Sequence, residues 1–286
     1  MINQHSDFID DPDTAPIGVF DSGVGGLSVY RHLKTILPNE RFIYYADTAN
    51  VPYGNKLGDE ILSLTLQVVA RLCEQGCKMI IIACNSASAH ALPAIRQRCH
   101  VPIIGLVPAV KPACTMTKTK KIAVLATQAT LQGYLLNEVI KDIAMPAGVD
   151  VYKHFEPRLV PWVENGMPID SQVAKLLIGQ VKIWASEGVD VIVLGCTHYP
   201  FFKDFIQAYI DKECLPIALV DSGVAIAKRA KSLLVALQIE VSTPKNIPLT
   251  FYASRFDDRL AATVAGLIDE PVDFVGHDFL PMDKNQ

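Results

Sequence analysis

The chain has 286 residues, 50% of them apolar and 20% charged, with a mean hydropathy of +0.25, which excludes a disordered tail protein and a charge-driven scaffold. Thirty acidic residues against 26 basic ones leave a formal charge of -4, so no general electrostatic attraction draws the chain to nucleic acid or to an anionic membrane. Its longest apolar runs, 79–84 and 189–196, fall far short of the roughly 20 residues of a membrane span.

Residues 1–15 carry four Asp and no Lys or Arg, the reverse of a secretory signal, and are read as a flexible N-terminal extension of a cytoplasmic protein. From Ile17 onward, short runs rich in Ile and Val alternate with longer segments of helical periodicity. Strands are expected at 17–20, 41–45, 78–83, 103–106, 121–126, 149–154, 190–195, 216–220, 248–252 and 272–275. Their continuous apolar character predicts parallel strands covered by helices on both faces, an α/β fold with mainly parallel sheets. Seven cysteines, an odd number without a tight framework of spacings, predict free thiols in a reducing compartment. Cys73, Cys77, Cys99, Cys114 and Cys214 lie in helical or loop patterns and are read as packing residues.

The two halves of the chain repeat one another. Ile17-Gly18-Val19-Phe20-Asp21-Ser22 opens a strand and turn that recurs 105 residues later as Ile122-Ala123-Val124-Leu125-Ala126-Thr127. From there, Ser22 to Cys84 is 62 residues and Thr127 to Cys196 is 69, and each cysteine ends an Ile/Val strand. A third pair of strands, at Val101–Ile104 and Leu215–Ala218, follows at similar spacing. Two pseudo-symmetric α/β halves facing each other would line one cleft with the carboxyl ends of their strands, where open α/β sheets bind ligands. Cys84 and Cys196 would then oppose each other.

Asp21-Ser22-Gly23-Val24-Gly25-Gly26 is a glycine-rich turn before a helix. It is read either as backbone N–H groups open to an anion or as a tight turn in which Asp21 or Ser22 caps the helix. It lacks nucleotide-loop spacing. Cys84-Asn85-Ser86 and Cys196-Thr197-His198 each place a thiol just before a helix, where the helix end favours thiolate. Ser22, Asn85, Ser86 and Thr197 offer donors to a substrate carboxylate, and no basic cluster stands ready for a polyphosphate. His198 has no companions to complete a metal-ligand set, so no metal is expected. Two acid/base groups on opposite faces of a tetrahedral carbon serve inversion: one thiolate removes the proton and the other thiol returns one to the far side. Asp221-Ser222-Gly223-Val224 repeats the letters of the Asp21 turn but aligns with a different element, and is read as a helix cap.

Phe20-Asp21-Ser22-Gly23-Val24-Gly25-Gly26-Leu27-Ser28-Val29, Pro52-Tyr53-Gly54, Ala83-Cys84-Asn85-Ser86-Ala87 and Gly195-Cys196-Thr197-His198-Tyr199-Pro200 resemble the signature segments of the glutamate racemase family, in order and from about Pro16 to Phe274. The resemblance implies cofactor-independent interconversion of L- and D-glutamate for peptidoglycan synthesis, on two pseudo-symmetric domains with the active site between them. It implies Cys84 and Cys196 as the paired acid/base residues, Asp21 supporting Cys84, and Glu164 with His198 supporting Cys196. Asp21, Ser22, Pro52, Tyr53, Gly54, Cys84, Asn85, Ser86, Cys196, Thr197 and His198 would meet the substrate. Ser86 stands where the family commonly has Thr, and Phe155-Glu156-Pro157-Arg158 and Asn55-Lys56-Leu57-Gly58 depart from its pattern.

The expected organisation is a first domain of 16–110 with 223–286 and a second of 111–222. Expected partners are the small-molecule substrate glutamate, with no membrane, no general nucleic-acid binding and a homodimer allowed; no cofactor is expected. The alternatives are a racemase of aspartate or another acidic amino acid, or a non-catalytic ligand- or protein-binding module on the same fold.

Overall fold

Val19 and Phe20, adjacent in the first strand, are both fully buried, yet they join different hydrophobic clusters on opposite faces of one sheet. Side chains alternate along a strand, so a strand covered on both faces must be apolar at every position. The computed structural model of the chain describes residues 14–241 and 247–275; the acidic segment read as a flexible extension lies almost wholly outside them. The strands are β1 (Ile17–Asp21), β2 (Phe42–Ala46), β3 (Met79–Ile82), β4 (Ile103–Gly105), β5 (Lys121–Leu125), β6 (Asp150–His154), β7 (Val191–Leu194), β8 (Ala218–Val220), β9 (Leu249–Ala253) and β10 (Val272–Val275). Each matches an expected strand to within two residues at either end.

Parallel pairing requires crossovers, and helices supply them. They are α1 (Leu27–Ile36), α2 (Gly58–Glu74), α3 (Asn85–Arg98), α4 (Val110–Met116), α5 (Gln128–Gln132), α6 (Tyr134–Val139), α7 (Leu159–Glu164), α8 (Gln172–Ser186), α9 (Lys203–Lys212), α10 (Gly223–Leu237) and α11 (Asp258–Leu267). One sheet has six strands in the order β10-β9-β2-β1-β3-β4, the other four in the order β6-β5-β7-β8. Every strand pair is parallel. The order β2-β1-β3-β4 is repeated as β6-β5-β7-β8, so the three sequence landmarks fall on equivalent strands. β9 and β10 extend only the first sheet, where Phe251 of β9 stacks on Tyr44 of β2 with ring centroids 5.0 Å apart.

The six-stranded sheet carries α1, α10 and α11 on one face and α2 and α3 on the other. The four-stranded sheet carries α7, α8 and α9 on one face and α4 and α6 on the other. Continuous burial fails toward the edges: the edge strands β6 and β10 are mostly half-buried or exposed, and β9, beside β10, alternates. An edge strand lacks a neighbour and is covered less completely.

One buried ion pair fastens the first sheet. Lys78, fully buried just before β3, places Nζ 2.8 Å from Glu40 Oε2 and donates to the carbonyl of Ile239 at 2.7 Å. Glu40 Oε1 in turn accepts the N–H of Val241. The chain leaving α10 is thereby pinned to the starts of β2 and β3.

Candidate active site

β1 and β3 are neighbours, so their carboxyl ends bring Asp21, Ser22 and Cys84 together. Cys84 is the N-cap of α3; its Sγ accepts the N–H of Ala87 at 3.5 Å and donates to Ser22 Oγ at 3.7 Å. Burial nonetheless pushes the Cys84 thiol up to about 12, with the nearby charge of Asp21 adding to the effect and the two hydrogen bonds opposing it. The N–H of Ala87 at the helix end does lower this thiol's pKa, as expected, but desolvation outweighs it. The equivalent expectation for Cys196 fails on geometry. The chain after Cys196 runs through Thr197 and His198 into a 3₁₀ turn, Tyr199–Phe202, before α9 begins.

What stands beside Cys196 is an imidazole. His198 Nδ1 lies 3.8 Å from Cys196 Sγ, and Nε2 lies 2.6 Å from Glu164 Oε1 at the end of α7. Burial disfavours charge on His198, but its bonds to Cys196 and Glu164 and the negative charge of Glu164 prevail and raise its pKa well above the usual value. Glu164 is desolvated too, yet the hydrogen bond and charge of His198 and the N–H of Val24 hold its carboxyl below the usual range. The result is an imidazolium–carboxylate pair abutting one thiol.

Asp21 binds across the cleft rather than to Cys84. Its Oδ1 accepts the N–H of Gly23 at 2.7 Å and its Oδ2 accepts Thr197 Oγ1 at 2.9 Å. Burial raises its carboxyl to about 6, against the charge of His198 and those two hydrogen bonds. Neither Asp21 nor Ser22 caps α1, whose N-cap is Gly26 without a side-chain bond.

The glycine turn has a different purpose from either reading of the sequence. Its anion is a side chain of the protein: Val24 N–H donates to Glu164 Oε1 at 3.0 Å. A Cβ on Gly23 would collide with Glu164 Oε1, and one on Gly25 would collide with His198 Nδ1. The loop of the first sheet is thus moulded onto the acid and imidazole of the second. Ser28 Oγ adds a bond to the carbonyl of Thr197 at 2.7 Å, and Tyr44 Oη donates to the carbonyl of Gly23.

The remaining expected residues gather at the same mouth. Ser86 Oγ and Thr127 Oγ1 are 2.9 Å apart, and Thr127 is the N-cap of α5, bonding Thr130. Gly54 packs on Thr127, where a Cβ would meet the threonine Cβ at 2.6 Å. Tyr53, buried, gives its hydroxyl to Asp47 at 2.6 Å and sets its ring against Phe20; Pro52 precedes it, half-buried. Asn85 is buried with its Nδ2 unpartnered among the described residues, and it lines, with Cys196 and Thr197, a void of about 10 Å³. An unpaired buried donor is unfavourable by about 1–3 kcal/mol, a deficit that a ligand acceptor would remove. Thr127, Thr130 and Asp47 were missed by sequence reasoning, although the internal repeat sets Thr127 opposite Ser22.

The segment read as a helix cap does precede α10: Asp221 Oδ1 accepts the N–H of Gly223, the helix's first residue, while Ser222, the N-cap, sends its hydroxyl to the carbonyl of Val107 instead of capping. Among the described residues no group of three or more His, Cys, Asp or Glu side chains could hold a metal ion, and no helix is long and apolar enough to cross a membrane.

A sequence profile described as Asp/Glu/hydantoin racemase matches residues 17–230. A glutamate racemase of Deinococcus radiodurans is 49% identical over 220 residues, covering 77% of this chain and 74% of the relative. Among solved structures, the glutamate racemase of Francisella tularensis in complex with D-glutamate superposes with a TM-score of 0.78 at 29% identity, covering 93% of this chain and 99% of that one. The Escherichia coli glutamate racemase in complex with L-glutamate and the activator UDP-MurNAc-Ala gives 0.75 at 29% identity, covering 88% and 94%.

Proposed function

The chain belongs to the Asp/Glu/hydantoin racemase family, and from that premise we propose that Cys84 and Cys196 are the two acid/base groups of its reaction. The enzyme is a glutamate racemase, interconverting L- and D-glutamate. The observation that carries the assignment of the thiols is their position at equivalent strand ends, β3 and β7, of two sheets with the same strand order.

In this reading Asn85, Ser22, Ser86 and Thr197 hold the substrate's polar groups. One thiolate removes the α-proton, and the protonated thiol on the opposite face delivers another to the carbanion. The two sides are helped differently. His198 with Glu164 places positive charge beside Cys196, while Asp21, negative when ionised, stands near Cys84 and tightens the proton on it. No lysine stands among these residues to form a Schiff base, which supports chemistry without pyridoxal phosphate.

We also read the chain as two domains, 16–110 with 223–286 and 111–222. Sheet membership and the packing of α10 on α1 support that division. Free thiols throughout the described residues support a cytoplasmic setting, where D-glutamate would feed peptidoglycan synthesis. A homodimer is tested by light scattering.

The deciding experiment incubates the pure protein with either enantiomer of glutamate in deuterium oxide. Deuterium is expected at the α carbon of the product enantiomer from the first turnover. Racemisation with retention of the substrate's own hydrogen would overturn the two-thiol reading.

A further inference from the structure

Away from the cleft, a cavity of about 590 Å³ opens between the C-terminal turns of α2 and α3, and the racemase chemistry does not use it. Leu66, Val69 and Ala70 of α2 and Ile95 of α3 form its walls, with Arg98 and His100 at the end of α3. Cys73 and Cys99 belong to the same cavity, and their Sγ atoms are 3.2 Å apart. Cys73 is exposed and Cys99 half-buried. This corrects the sequence reading of both residues as inert packing. The two lie 26 positions apart, on helices that only the fold brings side by side.

Their geometry suits covalent closure. A disulfide bond is about 2.05 Å long, so the sulfurs need approach by only about 1 Å. Cys73 sits in the last turn of α2 and Cys99 is the C-cap of α3, places where the backbone yields easily. The pair is also polarised. The hydrogen bond between the two sulfurs lowers Cys99, opposed by burial and helped by the N–H groups of Val101 and His100. The same hydrogen bond, with burial, drives Cys73 up. The N–H groups of Val101 and His100 both bond the Cys99 sulfur, which makes Cys99 the nucleophile and Cys73 the resolving thiol.

We propose that Cys73 and Cys99 form a thiol–disulfide exchange site for low-molecular-weight disulfides, closing reversibly into a bond that staples α2 to α3. The Cys99 thiolate attacks one sulfur of the incoming disulfide; the new S–S bond makes a mixed disulfide, and the first small thiolate leaves and is protonated by water. Cys73 then loses its proton to solvent and attacks the Cys99 sulfur, and the second small thiolate leaves. The two cysteines are oxidised by two electrons, and the incoming disulfide is reduced to two thiols. The cavity holds the body of the small thiol at the mixed-disulfide stage, and Arg98 favours one that carries a carboxylate.

Purified protein equilibrated with excess oxidised glutathione, then alkylated and digested without reductant, tests this. The expected product is one peptide pair joined through Cys73 and Cys99, released by dithiothreitol. In Cys73→Ser, one glutathionyl group is expected to stay on Cys99, with racemase turnover unchanged. The oxidised protein is expected to melt about 5 °C above the reduced one, since the bond closes a loop of intermediate length. Full alkylation of both thiols after treatment, a glutathionyl group persisting on Cys99 of the unsubstituted protein, or equal melting of the two forms would overturn the proposal.

Discussion

Thr197 donates to Asp21 across the cleft: a hydroxyl just beyond the end of β7 meets, at 2.9 Å, a carboxylate at the end of β1 in the other sheet. The bond ties the segment carrying Cys196 to the strand that neighbours Cys84. It also leaves Asp21 completely buried with two hydrogen bonds and, among the described residues, no ion pair.

That burial has a pH signature. The carboxyl of Asp21 is raised from 3.8 to about 6 in the fold. Between those values the folded state holds a proton that the unfolded state has lost, so stability falls as pH rises through this window and is flat above it. The full effect is of the order of 3 kcal/mol. Asp21→Asn is therefore expected to melt at or above the unsubstituted protein at pH 8, with the advantage shrinking at pH 4, while turnover drops roughly 10²-fold. Thermal melts at the two pH values check it; a variant destabilised equally at both would show that burial does not govern the titration of this carboxyl.

Cys84→Ala and Cys196→Ala are each expected to lower racemisation by at least about 10²-fold while glutamate still binds, because Asn85, Ser86 and Thr197 remain. The surviving thiol can still exchange the α-proton on its own face. Proton NMR in deuterium oxide should then show slow exchange of one enantiomer only, and the opposite one in the two variants. Exchange of the same enantiomer in both would contradict placement on opposite faces.

Gly25→Ala drives a methyl group into His198 Nδ1 and is expected to abolish most activity by displacing the imidazole. Gly179→Ala, within α8 and with nothing near the new Cβ, is expected to leave activity intact and raise stability by about 0.5–1 kcal/mol. Kinetics and melting of the two variants side by side separate a site effect from a general intolerance of alanine.

Lys78→Met leaves Glu40 buried beside a thioether, and breaking such a pair typically destabilises by about 3–5 kcal/mol. The double variant Glu40→Gln with Lys78→Met should recover part of the loss. Urea titration measures both, and additive losses would mean that the two charges do not depend on each other.

The ten strands were legible because parallel strands under two helical layers must be apolar throughout, and the repeat of Ile17–Ser22 in Ile122–Thr127 set the two cysteines on equivalent strands. Edge exposure of β6 and β10 was not legible, since it depends on which strand lacks a neighbour. Nor was the reason for the glycines at 23 and 25: their close neighbours, Glu164 and His198, lie more than a hundred residues away. Nothing local in the sequence marks Lys78 as half of an ion pair, because its partner Glu40 lies just before β2, on a distant stretch of the chain. The contact of Cys73 with Cys99 likewise depends on how α2 lies against α3, which no periodicity encodes. Thr127 had a signal, its alignment with Ser22, and only the bond to Ser86 gave that signal a meaning.

The void of about 10 Å³ beside Asn85 is roughly what one water needs. The bonds that tie the two sheets together at the cleft, Asp21 to Thr197, Val24 to Glu164 and Ser28 to Thr197, are made by the site and its immediate supports. The gate and the chemistry therefore share one set of contacts. If glutamate enters only when those bonds open, its apparent affinity is the intrinsic affinity scaled by the fraction of molecules standing open. Weakening one latch that lies off the proton path, as in Ser28→Ala, should enlarge that fraction. KM then falls, and turnover falls with it, because the same latch must close again before a proton can move.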